Sequence, residues 1–175
     1  MTDDELARLS RVLGVVALAG IPALTAAWAW GVASAPPEGL LASLGPLPEG
    51  TRSQAARAAL ALGLTALPLA ATLGALWEAA GLLRAYAGGD VLGAGPAARI
   101  GRIGRWLLTL SVLWVLVPTL QVLLVTWGNP PGARQLSVTL HEGVYLAALA
   151  GGLMAVIGAA MRRAAAARAE LDGFV

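Results

Sequence analysis

Cysteine and lysine are both absent from the 175-residue chain, and histidine occurs once, as His141. Without cysteine there is no disulfide framework, thiolate metal site or cysteine nucleophile. A single histidine excludes a multi-histidine metal site within one protomer. Charge is scarce as well: 13% of residues are charged, against about 25% in a soluble globular domain. Aromatic residues make up 5%. Apolar residues fill the gap, at 58% of the chain with a mean hydropathy of +0.74. This composition argues against a disordered chain and against a water-soluble enzyme, and points to an integral membrane protein. The length suits one domain better than two.

A hydrocarbon core about 30 Å thick needs roughly 20 apolar residues in a helix. Four segments meet or approach that length: Val12 to Ala33, Ala58 to Leu83, Trp106 to Trp127, and His141 to Met161, whose uncharged run starts at Val144 and borrows Gly143 and Leu140 to span. They are apolar all round rather than alternating, which disfavours a transmembrane barrel. The fold expected is therefore all-α, an integral membrane four-helix bundle. All twelve basic residues are arginine, and with the Ala/Gly/Leu bias this suggests a GC-rich bacterial genome. Nine of them (Arg8, Arg11, Arg84, Arg99, Arg102, Arg105, Arg162, Arg163 and Arg168) fall on one side of the predicted spans. Three (Arg52, Arg57 and Arg134) fall on the other. By the positive-inside rule both termini and the middle loop are expected on the cytoplasmic side. Trp28, Trp30, Trp127 and Tyr145 fall near the outer boundary, and Tyr86 and Trp106 near the inner one.

Ala33-Ser34-Ala35 resembles a signal-peptidase site, but the apolar run before it exceeds the roughly 7–15 residues of a signal core. Pro36 also occupies the disfavoured position after the cut. The first span is read as a retained anchor. The outer loop, 35–54, holds four prolines and room for one helical turn near Leu40 to Leu44; no internal repeat is evident.

Few residues in the spans carry chemistry. Glu78 is six residues, roughly 9 Å of helix, from Arg84. An ionisable group at membrane depth is a functional candidate by default; the plainer reading is a shallow carboxylate paired with an arginine such as Arg84 or Arg105. Gln121, with Thr65, Thr72, Ser111 and Thr119, would either line a polar path or hydrogen-bond across helices. Pro68 and Pro118 stand mid-span, where proline kinks or breaks a helix. Paired broken helices can mark a transport site, although the two halves share no matching sequence. A two-histidine haem would need a second protomer, and no serine and acidic partner flank His141 at triad spacing. No catalytic residue, metal or cofactor is expected. A stripe of small residues, Gly143, Ala147, Gly151 and Ala155, favours tight helix packing and offers a face for a homo-oligomer.

The second-to-third connection is the most informative stretch. Gly88-Gly89 ends the second helix, and Pro96 suits the first turn of the next. Arg99, Arg102 and Arg105 share one face, and Ile100, Ile103 and Leu107 share another. This predicts a short amphipathic helix at the inner surface that runs into the third span. It would bind anionic membrane lipid or dock a cytosolic partner through Arg84, Tyr86, Asp90, Arg99, Arg102 and Arg105.

Several residues here form a recognisable pattern: Leu82-Leu83-Arg84, Tyr86, Gly89-Asp90-Val91, Pro96, Arg99-Ile100, Arg102-Ile103-Gly104 and Leu107-Leu108. With Pro118 and the tail (Arg162-Arg163, Arg168, Glu170 to Val175), the second half of the chain resembles the DUF2975 family, a domain of unknown function. Leu92 and Gly88 depart from the pattern, which tends to phenylalanine and a polar residue there. The resemblance implies a bacterial four-span inner-membrane protein with no assigned enzymatic activity. It also implies a partner, a small cytosolic helix-turn-helix transcription regulator. No direct nucleic-acid contact is expected. A basic DNA-binding face would be repelled by the arginines, so a regulator would dock through an acidic or apolar face.

Overall fold

The computed structural model describes residues 3–34, 55–91, 93–130, 134 and 136–172. The expected helical turn near Leu40 to Leu44 lies outside the described residues. Five helices account for nearly everything described: α1 (Asp3–Ser34), α2 (Ala55–Leu64), α3 (Ala66–Ala87), α4 (Ala94–Thr126) and α5 (Glu142–Asp172). There is no strand among the described residues. Four segments are long and apolar enough to cross a membrane: Glu5–Ser34, Arg57–Ala87, Ala94–Thr126 and Glu142–Arg168. The second comprises α2 and α3.

The four spans form an open bundle in chain order. α1 packs on α3, α3 on α4, and α4 on α5, with α2 touching α3 and α4; among the described residues α1 and α5 share no extensive interface. Each step is antiparallel. Gly14 of α1 faces Leu83, and Gly20 faces Leu76. Glu78 of α3 meets Arg99 and Arg102 of α4. Further along α4, Gly101 abuts Gly158 of α5, and Trp114 stacks at a tilt against His141 with ring centroids 5.2 Å apart. The start of α1, the end of α3, the start of α4 and the end of α5 therefore share one end of the molecule. That end carries the nine-arginine set.

Many large apolar side chains face outward, as in Val15 (66% exposed), Leu149 (74%) and Val156 (67%). In water such a surface would be an aggregation liability, whereas against lipid it needs no protein partner.

Proline acts differently in the two central spans. Pro68 has no N–H, and its ring crowds the carbonyl four residues earlier. The helix breaks there: the Thr65 amide turns to Leu62 O at 2.9 Å, separating α2 from α3. α4 instead runs unbroken through Pro118.

α3 closes in a Schellman motif. The Asp90 amide donates to Ala85 O and the Gly89 amide to Tyr86 O, both at 3.0 Å, with Gly89 at φ +85°. Only glycine adopts that φ without strain. The Asp90 carboxylate then accepts the Gly93 amide at 2.9 Å, which ties the turn to the start of α4.

The amphipathic segment around Arg99, Arg102 and Arg105 continues into the third span without a boundary: α4 is one helix of 33 residues from Ala94. Nothing between Pro96 and Trp106 interrupts it, and the glycines within it are held against α5. The small-residue face of α5 is already occupied. A Cβ on Gly104 would stand 2.6 Å from the Ala155 amide nitrogen and 2.7 Å from the Gly151 carbonyl oxygen, so the α4 and α5 backbones touch there. Val144, Ala147, Gly151 and Gly158 are buried in this contact. A homo-oligomer through Gly143, Ala147, Gly151 and Ala155 would have to displace α4.

Candidate functional site, an arginine cluster at one end of the bundle

Glu78 projects from the middle of α3 toward α4, between two glycines that follow the same helical face, Gly74 and Gly81. The absent side chains make room. A Cβ at position 81 would collide with the Arg99 guanidinium, and one at position 74 would stand 2.6 Å from the Trp106 ring. Arg99 and Arg102, three residues apart on α4, enter that space. Arg99 Nη1 donates to Glu78 Oε2 at 3.0 Å, and Arg102 Nε donates to Glu78 Oε1 at 2.7 Å. The Glu78 side chain is 14% exposed, and the two arginines are 33% and 37% exposed.

Helix register gives the depth of this group. Glu78 lies between Leu76 and Leu83, hence level with α1 between Gly20 and Gly14, about two turns inside Arg11. Gly101 is level with Gly158, roughly 6 Å inside Arg162 on α5. The cluster is thus flanked on both sides by apolar helix. A charge in such surroundings is costly unless paired, which accounts for both carboxylate oxygens being engaged. Two guanidinium groups on one carboxylate leave the cluster at +1.

The expected pairing of Glu78 with Arg84 or Arg105 is not what forms. Arg84 sits two turns further along α3, where its Nε donates to Ala80 O at 3.4 Å and its guanidinium lies 6.0 Å over Trp77. Together with Arg99, Trp77 and Gly81 it borders a recess of about 170 Å³. Arg105 lies on the opposite side of the cluster. There a cleft of about 360 Å³ is lined by Glu78, Arg102, Arg105, Trp106 and Thr109. Tyr86 is half-buried near the end of α3, and Asp90 is exposed and committed to its turn. The six loop candidates therefore separate into two ion-pair formers, two arginines bordering clefts, a tyrosine and a turn cap.

Gln121 is far from this end. It is 7% exposed, and its Nε2 donates to Ala61 O at 2.7 Å. That carbonyl is available because Thr65, its ordinary helical donor, has turned to Leu62. The break at Pro68 is thus stitched to α4 by Gln121. It is also joined to α1, where Trp28 Nε1 donates to Thr65 Oγ1 at 2.9 Å. Thr72, Ser111 and Thr119 bond to carbonyls of their own helices, so these side chains form no continuous polar path.

Two features escaped the sequence reading. One is the Gly74-Glu78-Gly81 face, whose spacing of four and three marks a carboxylate with room on either side. The other is Trp28, assigned to the outer boundary, which holds the broken span. Among the described residues no group of His, Asp and Glu could hold a metal ion, and every buried side-chain nitrogen or oxygen has a hydrogen-bond partner. No protein-family model matches the chain, and no curated protein or solved structure matches it.

Proposed function

We propose that this is a non-enzymatic interaction protein of the bacterial inner membrane, with both termini and the arginine-rich end in the cytoplasm. The observation that carries the reading is the length of α5. It continues for ten residues beyond Arg162, about 15 Å, with Arg163 and Arg168 exposed. The exposed Ala164, Ala166 and Ala167 leave this extension open on several sides. A recess of about 210 Å³ bounded by Met161, Ala164, Ala165 and Arg168 offers a small apolar foothold. A short helix lacking packing is marginal in water, so the extension suits a surface completed by a partner.

The resemblance to DUF2975 supplies the partner class, a small cytosolic helix-turn-helix regulator. Basic Arg163 and Arg168 beside an apolar recess suit an acidic or apolar face of such a protein, not its DNA-binding face. The alternative, a small transporter or ligand-binding bundle built on Glu78 and Gln121, loses support, because both side chains are engaged in holding helices together.

The test is purification of the tagged protein from its native membranes in mild detergent, with mass spectrometry of what accompanies it. A small helix-turn-helix protein in near-equal amount, lost in the Arg163→Gln, Arg168→Gln double variant, is the expected result. Recovery of the chain with lipid alone would overturn the reading. The Arg99, Arg102 pair is a poor place for this test, since it holds Glu78.

A further inference from the structure

The cleft beside Glu78 is built differently from the docking extension. Its polar lining consists almost entirely of donors. Arg102 spends its Nε on Glu78, and both carboxylate oxygens are taken. Among the described residues, Arg105 has no ion pair and the Thr109 hydroxyl no hydrogen bond. Counting Arg105 with the cluster, the group carries +2. Its depth makes that charge hard to explain without an anion. Arg105 follows Gly104, which abuts Gly151 and Ala155, so it sits about 10 Å inside Arg162 along the apolar face of α5. An arginine at that level, exposed to the surroundings of the bundle, needs a counter-charge or a route to the headgroups.

The face of α4 below the cleft completes the picture. Arg105, Thr109, Val112 and Leu116 follow one another at helical spacing on one stripe, and all are exposed, Val112 by 55% and Leu116 by 49%. Moving toward the middle of the span, the stripe passes from guanidinium to hydroxyl to bare aliphatic surface. This is the order of groups in a lipid, from phosphate through glycerol and ester to acyl chain. Trp106 forms the wall against Gly74, an amphipathic ring of the kind that favours a boundary between polar and apolar surroundings.

We propose that the cleft lined by Arg102, Arg105, Trp106 and Thr109 binds the phosphate of an anionic phospholipid headgroup, with the acyl chains lying along Val112 and Leu116. The phosphate accepts charge-assisted hydrogen bonds from the two guanidinium groups and one from Thr109, and it offsets the excess positive charge that Glu78 leaves. At about 360 Å³ the cleft falls within the ordinary range for small-ligand sites, roughly 300–1,000 Å³. The site does not depend on a protein partner, and failed co-purification would leave it standing.

The full-length protein is reconstituted in nanodiscs of phosphatidylcholine doped with phosphatidylglycerol, then released into detergent; native mass spectrometry counts the phosphatidylglycerol retained. Wild type is expected to keep one molecule in preference to phosphatidylcholine. Arg105→Gln, which leaves the Glu78 ion pairs intact, should weaken retention roughly tenfold, and Thr109→Val should weaken it less. Arg163→Gln with Arg168→Gln removes more charge from the same end and should leave retention unchanged. Equal losses in that control and in Arg105→Gln would overturn the proposal in favour of diffuse attraction. Displacement of the retained lipid by inorganic phosphate alone, or failure of wild type to prefer phosphatidylglycerol, would overturn the assignment to a lipid.

Discussion

α4 presents two faces that solve helix association in opposite ways. Toward α5 it offers Ala97, Gly101 and Gly104, and the partner answers with Gly151, Ala155 and Gly158, so backbone meets backbone. Toward α2 and α3 it offers Arg99, Arg102 and Gln121, answered by the Glu78 carboxylate and the Ala61 carbonyl. Lipid tails are as apolar as leucine, so burying apolar side chains does little to drive helices together in a membrane. Two resources remain, and one helix uses each on a separate side. The small-residue face gains from close van der Waals approach, whereas the polar face gains from pairs too costly to leave exposed to hydrocarbon. The first is intolerant of volume. The second is intolerant of losing one partner.

The strongest break in this comparison is on the glycine side. Gly104→Leu would drive a side chain into the Ala155 and Gly151 backbone, which cannot yield as a side chain can. Overpacking of this kind costs about 3 kcal/mol or more, and we expect α5 to detach from α4. Unfolding in mixed micelles of rising dodecyl sulfate fraction would register this as an early transition. The same substitution on the other face, Gly74→Leu, first meets the Trp106 ring, a side chain that can turn aside, and should cost far less. Equal losses from the two would remove the distinction between backbone and side-chain contact.

Next in size is Glu78→Gln. It leaves two guanidinium groups facing one neutral amide among apolar helices. Removing one partner of a buried ion pair costs about 3–5 kcal/mol, and the partial exposure of these arginines brings the expectation down to about 2 kcal/mol. If the loss arises from stranded charge, Arg99→Gln with Arg102→Gln in the same chain should recover part of it. A triple variant no more stable than Glu78→Gln alone would show that the cost lies elsewhere. The same dodecyl sulfate titration reads both.

Much of this architecture was legible in the chain, because the strongest signals are local. Apolar runs of about 20 residues, the Gly88-Gly89 stop and Pro96 mark the spans and the turn without reference to any partner. The site was legible only in its ingredients. Glu78 stood out as an intramembrane charge and Arg99 and Arg102 as a basic face. Which arginine Glu78 takes depends on the register of α3 against α4, a property of two surfaces. Gly81 opens the pocket for Arg99, while Arg84, nearer in sequence, is drawn to Ala80 and Trp77. Whether the basic segment of α4 lies on the membrane surface was illegible for a related reason. A basic amphipathic pattern reads the same on a membrane surface or against a carboxylate on the next helix. The small-residue stripe reads the same between copies or within one.

Gln121→Leu tests a smaller part of the polar face. Leucine removes the donor to Ala61 O, a carbonyl freed by the break at Thr65. Interhelical hydrogen bonds in membranes average about 0.6 kcal/mol and reach about 1.7 kcal/mol. Because Gln121 is buried, about 1 kcal/mol is expected. Filling position 68 sharpens the point: Pro68→Ala restores a possible donor to Leu64 O and lets α2 and α3 join. In that background Gln121→Leu should cost less, since the Thr65 amide can return to Ala61. An undiminished cost would show that the break does not create the acceptor.

The smallest effect expected is at the far edge of the same break. Trp28 Nε1 donates to Thr65 Oγ1, and Thr65 Oγ1 in turn donates to Leu62 O at 2.6 Å. Trp28→Phe keeps most of the ring and removes the N–H, at a cost of about 0.5 kcal/mol. Thr65→Val removes the hydroxyl from both bonds. If the indole acts through that hydroxyl, the double variant should cost no more than Thr65→Val alone, a non-additivity a double-mutant cycle resolves. Strict additivity would mean that the ring holds α1 by packing alone. The polar joint would then end at α2, and α1 would attach in the manner of α5, by shape and not by a specified pair.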